Sequence, residues 1–579
     1  MKHATAFTPD LQAAYDADLA VLDRAKHDWA RTSVADRIGL LQAVKDALMP
    51  VAEDWAVTAA QKKGIPEGSH LVGEEWTSGP YALMSACNGL MQTLSKMDGK
   101  AFLKSLPKRR LPNGQLVLRA VPHSIWDRLL LSGVTADIWM QPGVTPANLK
   151  DHAASAYDIA PEDRVGKVAL VLGAGNIAAI SPLDAFQKLF IENQVVLLKM
   201  NPVNDYLTAF LQAALRPLIE ADALRIHRGD GESGAYLTDH PLVEEIHITG
   251  ARATHDAIVW GTGAEGAANR KAGTPKNPRP ITSELGAVCP TIVVPGPWSA
   301  ADLRFQAENI ATMKLHNSGF NCVAVQSLVM ARGWDKTEAL LSEVRRVMTR
   351  FGQRAAYYPG AEARQAAFRN QAGAAATEWP RGSSPACVLA NMDTGDTQAL
   401  AQQEVFAPAM GIKRLEETDP EAFLRAAIAW SNDALYGTLG ANVLIHPATL
   451  RQMGRKRFEA LLSELRYGTI AVNAWTGLGF LLSPVPWGGF AGATLEDVQS
   501  GVGTVHNTFM LERTERTIVE APFRPFPRSI LSGSMTLLPR PPWFITNRKQ
   551  DKIGKHLTAF QHKASWLKLP RIFLNALRG

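Results

Sequence analysis

Cysteine is scarce: Cys87, Cys289, Cys322 and Cys387 are the four in 579 residues, and no C-x-x-C pair occurs among them. That count and spacing exclude a disulfide framework and the common zinc modules, so a reducing compartment and no metal are expected. The opening residues, MKHATAFTPDLQAAYDADL, have no apolar run behind their early basic positions. A signal peptide is not read there, and a cytoplasmic location is expected. Long hydrophobic runs are also missing. One charge-free stretch, residues 467–495, has the length of a bilayer span, but Asn473, Pro484, Pro486 and six glycines interrupt it. It reads as strands and turns inside a protein. The body of the chain lacks a basic excess: of 61 Lys and Arg against 55 Asp and Glu, residues 523–579 take 11, against Asp551 alone. With the surplus confined to one terminal segment, nucleic-acid binding by the whole protein is not expected.

What is present is ordinary globular composition, 46% hydrophobic and 20% charged, which rules out global disorder. The length points to two or three large domains. Residues up to about 100 keep apolar positions at three- and four-residue spacing and read as helices, with a start at Thr32, Ser33 and Asp36 and a stop at Gly64-Ile65-Pro66. LVLRAVP (116–122) and ADIWMQPG (136–143) are short β-favouring runs that suit a projecting two-stranded arm, near residues 114–145. From Gly166, strands such as VALVL and QVVLLK alternate with helix-patterned segments, which argues for a parallel α/β sheet. A second α/β section begins near Thr291, with a linker expected within residues 281–290 and a cleft between the two units. Residues 261–280 read as one long surface loop.

GAGNIA, residues 173–178, follows a strand and precedes a helix, and so formally matches the dinucleotide-binding turn. The acidic residue that turn requires would be Glu192, which falls before the next strand instead of at its end. Seven strings in order are more specific: GNIAAISPLDAF, VVLLKMNP, TSELGAVCP, HNSGFNCVAVQ, QEVFAPAMGI, GTIAVNAW and PWGGF. Together they resemble the aldehyde dehydrogenase superfamily over residues from about 15 to about 520. The resemblance implies an α/β fold of two open parallel-sheet domains, a β-arm for oligomerisation and a basic C-terminal extension beyond the family core. The domain plan is then residues 1–285 for nucleotide binding, 286–480 for the nucleophile, 481–522 returning to the cofactor domain and an oligomerisation strand, and 523–579 as the extension.

Each string maps onto a chemical need. A thiolate both adds to an aldehyde and leaves from a thioester, and Cys322 is the candidate nucleophile. Glu284, flanked by uncharged residues, takes the place of the general base that activates water. The Asn176 amide and the Cys322 main-chain N–H are the implied oxyanion donors. Lys199 stands where the family reaches the adenosine ribose, Glu404 and Phe406 where it holds the nicotinamide half, and Thr249-Gly250 at a turn whose N–H groups meet phosphate. The cofactor is NAD or NADP, because no acidic residue follows Lys199 at the position that would repel a 2′-phosphate. Gly175, Ala251 and Ala407 depart from the family pattern. The implied partners are a small-molecule aldehyde and further copies of the chain, as a homodimer or homotetramer. Residues 523–579, basic and aromatic, suit packing over a neighbouring subunit or the tunnel mouth, or peripheral membrane contact. Two other readings fit the same strings: a coenzyme A-acylating or acyl-thioester-reducing dehydrogenase, and a catalytically silent scaffold. Glu284 argues against the first, since acylating members typically lack that base.

Overall fold

The computed structural model describes residues 5–351 and 354–579. In chain order the strands are β1 Lys108–Arg110, β2 Leu116–Val121, β3 Thr135–Met140, β4 Val168–Leu172, β5 Val195–Lys199 and β6 Leu224–His227. β7 Glu245–Gly250, β8 Ile281–Leu285, β9 Cys289–Val293, β10 Val325–Ala331, β11 Ala376–Arg381 and β12 Ser384–Asn391 follow. The last are β13 Ala409–Leu415, β14 Gly440–Leu444, β15 Thr469–Val472, β16 Pro486–Trp487, β17 Val505–His506 and β18 Thr514–Glu520.

Two large sheets result. The smaller is all parallel in the order β6-β5-β4-β7-β8. Its central strands, VALVL and VVLLK, are buried along their whole length, as strands covered on both faces must be. The chain leaves β4 toward β5 and later returns to its other side as β7, so the strand order reverses beside β4. Ligands of open α/β sheets bind at the carboxyl ends of strands at such a point. The larger sheet runs β1-β2-β3-β18-β15-β14-β9-β10-β13-β12-β11, parallel through its middle and antiparallel at both ends. The chain passes from one sheet to the other between Leu285 and Cys289, inside the segment expected as the linker.

Three expectations change in detail. Residues 261–280 are not one loop: Gly263–Ala272 is a helix. Its Ala, Glu, Arg and Lys residues are good helix formers, and Gly273 closes it at a φ of 65°. The two arm strands form, but they do not project. β3 pairs with β18, and β18 pairs with β15, so the arm extends the large sheet of its own chain. Finally, the extension packs over the chain's own surface. Arg524 and Arg528 reach Asp302, Arg540 reaches Glu308, and Phe544 stacks on Phe305. Trp126 packs against both Phe560 and Trp566. The Gln550–His562 helix lies on the short Val72–Trp76 helix so closely that a β-carbon on Gly73 would fall 2.2 Å from the main chain of Gln550.

Candidate active site

One cleft of about 670 Å³ lies at the carboxyl ends of β4, β5 and β7 and reaches the large sheet. All eight residues nominated from sequence line it: Asn176, Lys199, Thr249, Gly250, Glu284, Cys322, Glu404 and Phe406. They come from turns and strand ends far apart in the chain.

At the inner end, the Cys322 sulfur is 3.7 Å from Oε1 of Glu284. Cys322 sits in the turn before β10 and is partly exposed, and its main-chain N–H donates to no group among the described residues. Glu284 is the penultimate residue of β8 and is 3% exposed. Its Oε1 also accepts the indole N–H of Trp487 at 2.7 Å, while Oε2 is buried without a partner among the described residues. Burial, then the nearby charge of Asp184, pushes the Glu284 carboxyl up to about 8, against the pull of Trp487. Burial, with the charges of Glu284 and Glu404, holds the Cys322 thiol well above its ordinary value.

Asn176 lies in the turn after β4. One N–H of its amide donates to the Phe320 carbonyl at 3.0 Å, tying it to the Cys322 loop. A buried network holds both from behind. Lys63, just past the long Val34–Lys62 helix, pairs with Glu75 at 3.0 Å and donates to the main-chain carbonyl of Asn176 at 2.9 Å and to the side-chain Oδ1 of Asn317 at 3.2 Å. Asn317 donates in turn to the Asn176 and Phe320 carbonyls, both at 3.1 Å. Glu74 accepts the Asn317 N–H at 3.0 Å and pairs with Arg354. The Cys322 loop is therefore held by charges from the N-terminal helices. Sequence reading missed this support, because Lys63, Glu74 and Glu75 look like ordinary helix-surface charges.

At the outer end, Lys199 is 8% exposed, forms no ion pair among the described residues, and burial lowers its ammonium to about 8. Asn201 packs beside it: a β-carbon on Gly175 would fall 2.6 Å from its Oδ1, which explains the missing side chain at 175. The Arg252–Trp260 helix opens at Ala251 with no side-chain cap, which leaves first-turn N–H groups open to the cleft. Thr249, however, turns its hydroxyl inward to Asp184 at 2.8 Å, so only the main chain of this turn is free to meet a phosphate. Glu404 is half-buried beside Gly286, where a β-carbon would meet its carboxylate at 1.9 Å; its Oε1 is buried and lacks a partner among the described residues. Burial raises it to about 8, with Lys314 and Arg364 pulling the other way. Phe406 adopts a φ of 43°, and Arg364 donates to its carbonyl at 3.1 Å. Tyr358 and Arg364 complete the wall, and no local pattern marked either. Among the described residues no cluster of three or more His, Cys, Asp or Glu is placed to hold a metal.

The fold is shared with solved dehydrogenases. An NADP-dependent glyceraldehyde-3-phosphate dehydrogenase from Bacillus halodurans C-125 is 18% identical, with 88% of this chain and 91% of that one covered at a TM-score of 0.57. Lactaldehyde dehydrogenase from Escherichia coli is 14% identical over 87% and 90%, at 0.57. An NAD-dependent aldehyde dehydrogenase from Sinorhizobium meliloti is 16% identical over 88% and 87%, at 0.55. At such identities the likeness is one of fold. The sequence itself goes further, since the model of the Aldehyde dehydrogenase family matches residues 176–512, more than half of the chain and the part that holds all eight nominated residues. This chain belongs to the aldehyde dehydrogenase family.

Proposed function

We propose that the protein oxidises an aldehyde to the carboxylic acid with NAD or NADP, through a thioester on Cys322 that Glu284 hydrolyses. The observation that carries this reading is the 3.7 Å approach of the Cys322 sulfur to a Glu284 oxygen inside the one cleft that also holds Lys199 and Glu404. Ionised Glu284 takes the thiol proton, and the thiolate adds to the aldehyde carbon. The new oxyanion lies within reach of two donors, the free N–H of Cys322 and the second N–H of the Asn176 amide. A bound nicotinamide supplies the hydride acceptor. Once the carbonyl is re-formed as a thioester, Glu284 takes a proton from water, the hydroxyl oxygen adds to the thioester carbon, and Cys322 leaves as thiolate. Because one carboxylate serves both proton transfers, the first proton must reach solvent before the second step.

The cleft fits the cofactor by its unsatisfied groups. Lys199 and the main-chain N–H groups after Thr249-Gly250 would hold the adenosine and phosphate end; Glu404 and Phe406 would hold the nicotinamide ribose. Asp230, the acid nearest Lys199 in the cleft, is engaged by the N–H groups of Ser233 and Phe7, which supports use of either NAD or NADP. On this reading residues 1–285 and 481–522 serve the cofactor domain, and 286–480 carry the nucleophile. A homodimer or homotetramer would need surfaces other than the edges of β3 and β18, which are paired within the chain. No described helix is long and apolar enough to cross a membrane.

The test is reduced-nicotinamide formation with NAD and with NADP across short aliphatic, long aliphatic and aromatic aldehydes, with Cys322→Ala beside the wild type. Turnover that yields free acid without coenzyme A, and is lost in the variant, is expected. A coenzyme A requirement would move the assignment to an acylating enzyme, and inactivity with every pair to a scaffold.

A further inference from the structure

Exposed apolar side chains are concentrated in the C-terminal extension. Of the twelve large hydrophobic residues that stand exposed among the described residues, eight belong to residues 523–579, a tenth of the chain. The last helix, Leu569–Leu577, is apolar on two faces. Leu569, Ile572 and Ala576 point into the protein, while Leu574 (49% exposed) and Leu577 (59%) point away, continuing from Trp566 (60%) and Leu567 (89%). A second group, Ile530, Leu531, Met535 and Leu537, is anchored beside it. The short Ile125–Leu130 helix meets the first group where Trp126 packs against Trp566, and the residues after that helix meet the second where Ser132 accepts the Leu537 N–H at 2.7 Å. Ile125, itself 50% exposed, adds to the same face. A patch of this extent is costly to leave in water and marks a surface that is covered in use.

Charge selects what covers it. No acidic residue follows Asp551, and Lys563, Arg571 and Arg578 around the final helix form no ion pair among the described residues. An amphipathic surface with basic side chains beside exposed leucine and tryptophan matches an anionic lipid headgroup layer: the rings and leucines enter the interface and the cations meet phosphate. We propose that the C-terminal extension docks the protein peripherally on an anionic membrane, with the Trp566–Leu577 segment entering the interface. The cleft residues play no part in it.

The experiment is co-sedimentation of the full-length protein with vesicles of phosphatidylcholine alone and of phosphatidylcholine mixed with phosphatidylglycerol. Binding to the mixed vesicles is expected to exceed binding to neutral ones by at least about tenfold and to fall as salt is raised. Leu574→Glu/Leu577→Glu should remove most of that binding while the melting temperature stays unchanged, because both side chains are exposed; Arg571→Glu/Arg578→Glu should do the same. Failure to bind either vesicle overturns the proposal, as does equal binding to both. So does a self-association in the absence of lipid that Leu574→Glu/Leu577→Glu abolishes, which would assign the patch to a second copy.

Discussion

The indole of Trp487 donates to the same Glu284 oxygen that faces the Cys322 sulfur, at 2.7 Å. The bond favours the ionised carboxylate and opposes the burial that raises it. Trp487→Phe removes the donor and keeps most of the packing. A hydrogen bond to a charged group contributes about 1.5–3 kcal/mol, so the ascending limb of the pH–kcat profile should move alkaline by about one to two units. An unmoved limb would show that the indole does not hold the base.

Glu284→Gln should separate the two halves of the reaction. Acyl-enzyme formation slows but continues, because the change removes one of the charges that hold the Cys322 thiol up, and then stalls. The expected record is a burst of reduced nicotinamide near one per site, followed by steady turnover lower by about 10²–10⁴-fold. Hydroxylamine, a nucleophile that needs no base, should restore turnover. The same change removes a carboxyl whose folded value lies above its unfolded one. Such a group costs stability progressively as pH rises from about 4.5 toward 8. The variant should therefore gain melting temperature over wild type at pH 9 and little at pH 5.

Lys199 titrates in the opposite sense for binding. Its ammonium, lowered to about 8 by burial, is lost as pH rises through that value. The KM for the nucleotide should climb on the alkaline side while kcat still rises with Glu284 ionisation, and Lys199→Met should show the high KM at every pH. A pH-independent KM in the wild type would count against contact between this side chain and the cofactor.

Gly175 and Asn201 should behave as a coupled pair. Gly175 does not use a left-handed backbone, so the cost of a side chain there is steric. Gly175→Ala is expected to destabilise by about 1–3 kcal/mol, and Asn201→Ala in the same chain should recover part of it, the Val203 β-carbon at 2.9 Å keeping the rest, as read from thermal melts in a double-mutant cycle.

The buried support can be disturbed from outside. In Gly73→Ala the new methyl group cannot coexist with the Gln550 main chain, so the Val72–Trp76 helix must shift, and Glu74 and Glu75 with it. Lower kcat, an unchanged nucleotide KM and faster amide exchange across residues 316–322 are expected. Faster exchange confined to residues 550–562 would mean that the extension only covers the surface.

The site was legible in the sequence because its members sit at strand ends and tight turns, where residue type follows chemistry. GAGN after β4, LLK at the end of β5 and SEL at the end of β8 each carry both the turn signal and a side chain that lines the cleft. The support behind them was not. Lys63, Glu75 and Asn317 meet across more than 250 residues, and a lysine at a helix end gives no hint that it is buried. Thr249 shows the same limit from the other side: its position in the turn was readable, but Asp184, which captures its hydroxyl, lies on a different element. Residues 263–272 read as loop from their glycine and alanine density, yet their Ala, Glu, Arg and Lys supply enough helix propensity to form a helix. The fate of the arm depended on β18, which no local pattern linked to residues 116–140.

The seating of residues 550–562 on Gly73 also sets an order of events in synthesis. Both sheets and every side chain of the cleft are encoded before residue 521, so a ribosome can release them while the Val72–Trp76 helix still lacks its cover. Domains generally fold in the order they emerge. The nascent enzyme would then carry a complete but slack reaction centre, tightened only when residues 550–562 arrive, and a chain cut short before residue 550 would bind nucleotide better than it turns over.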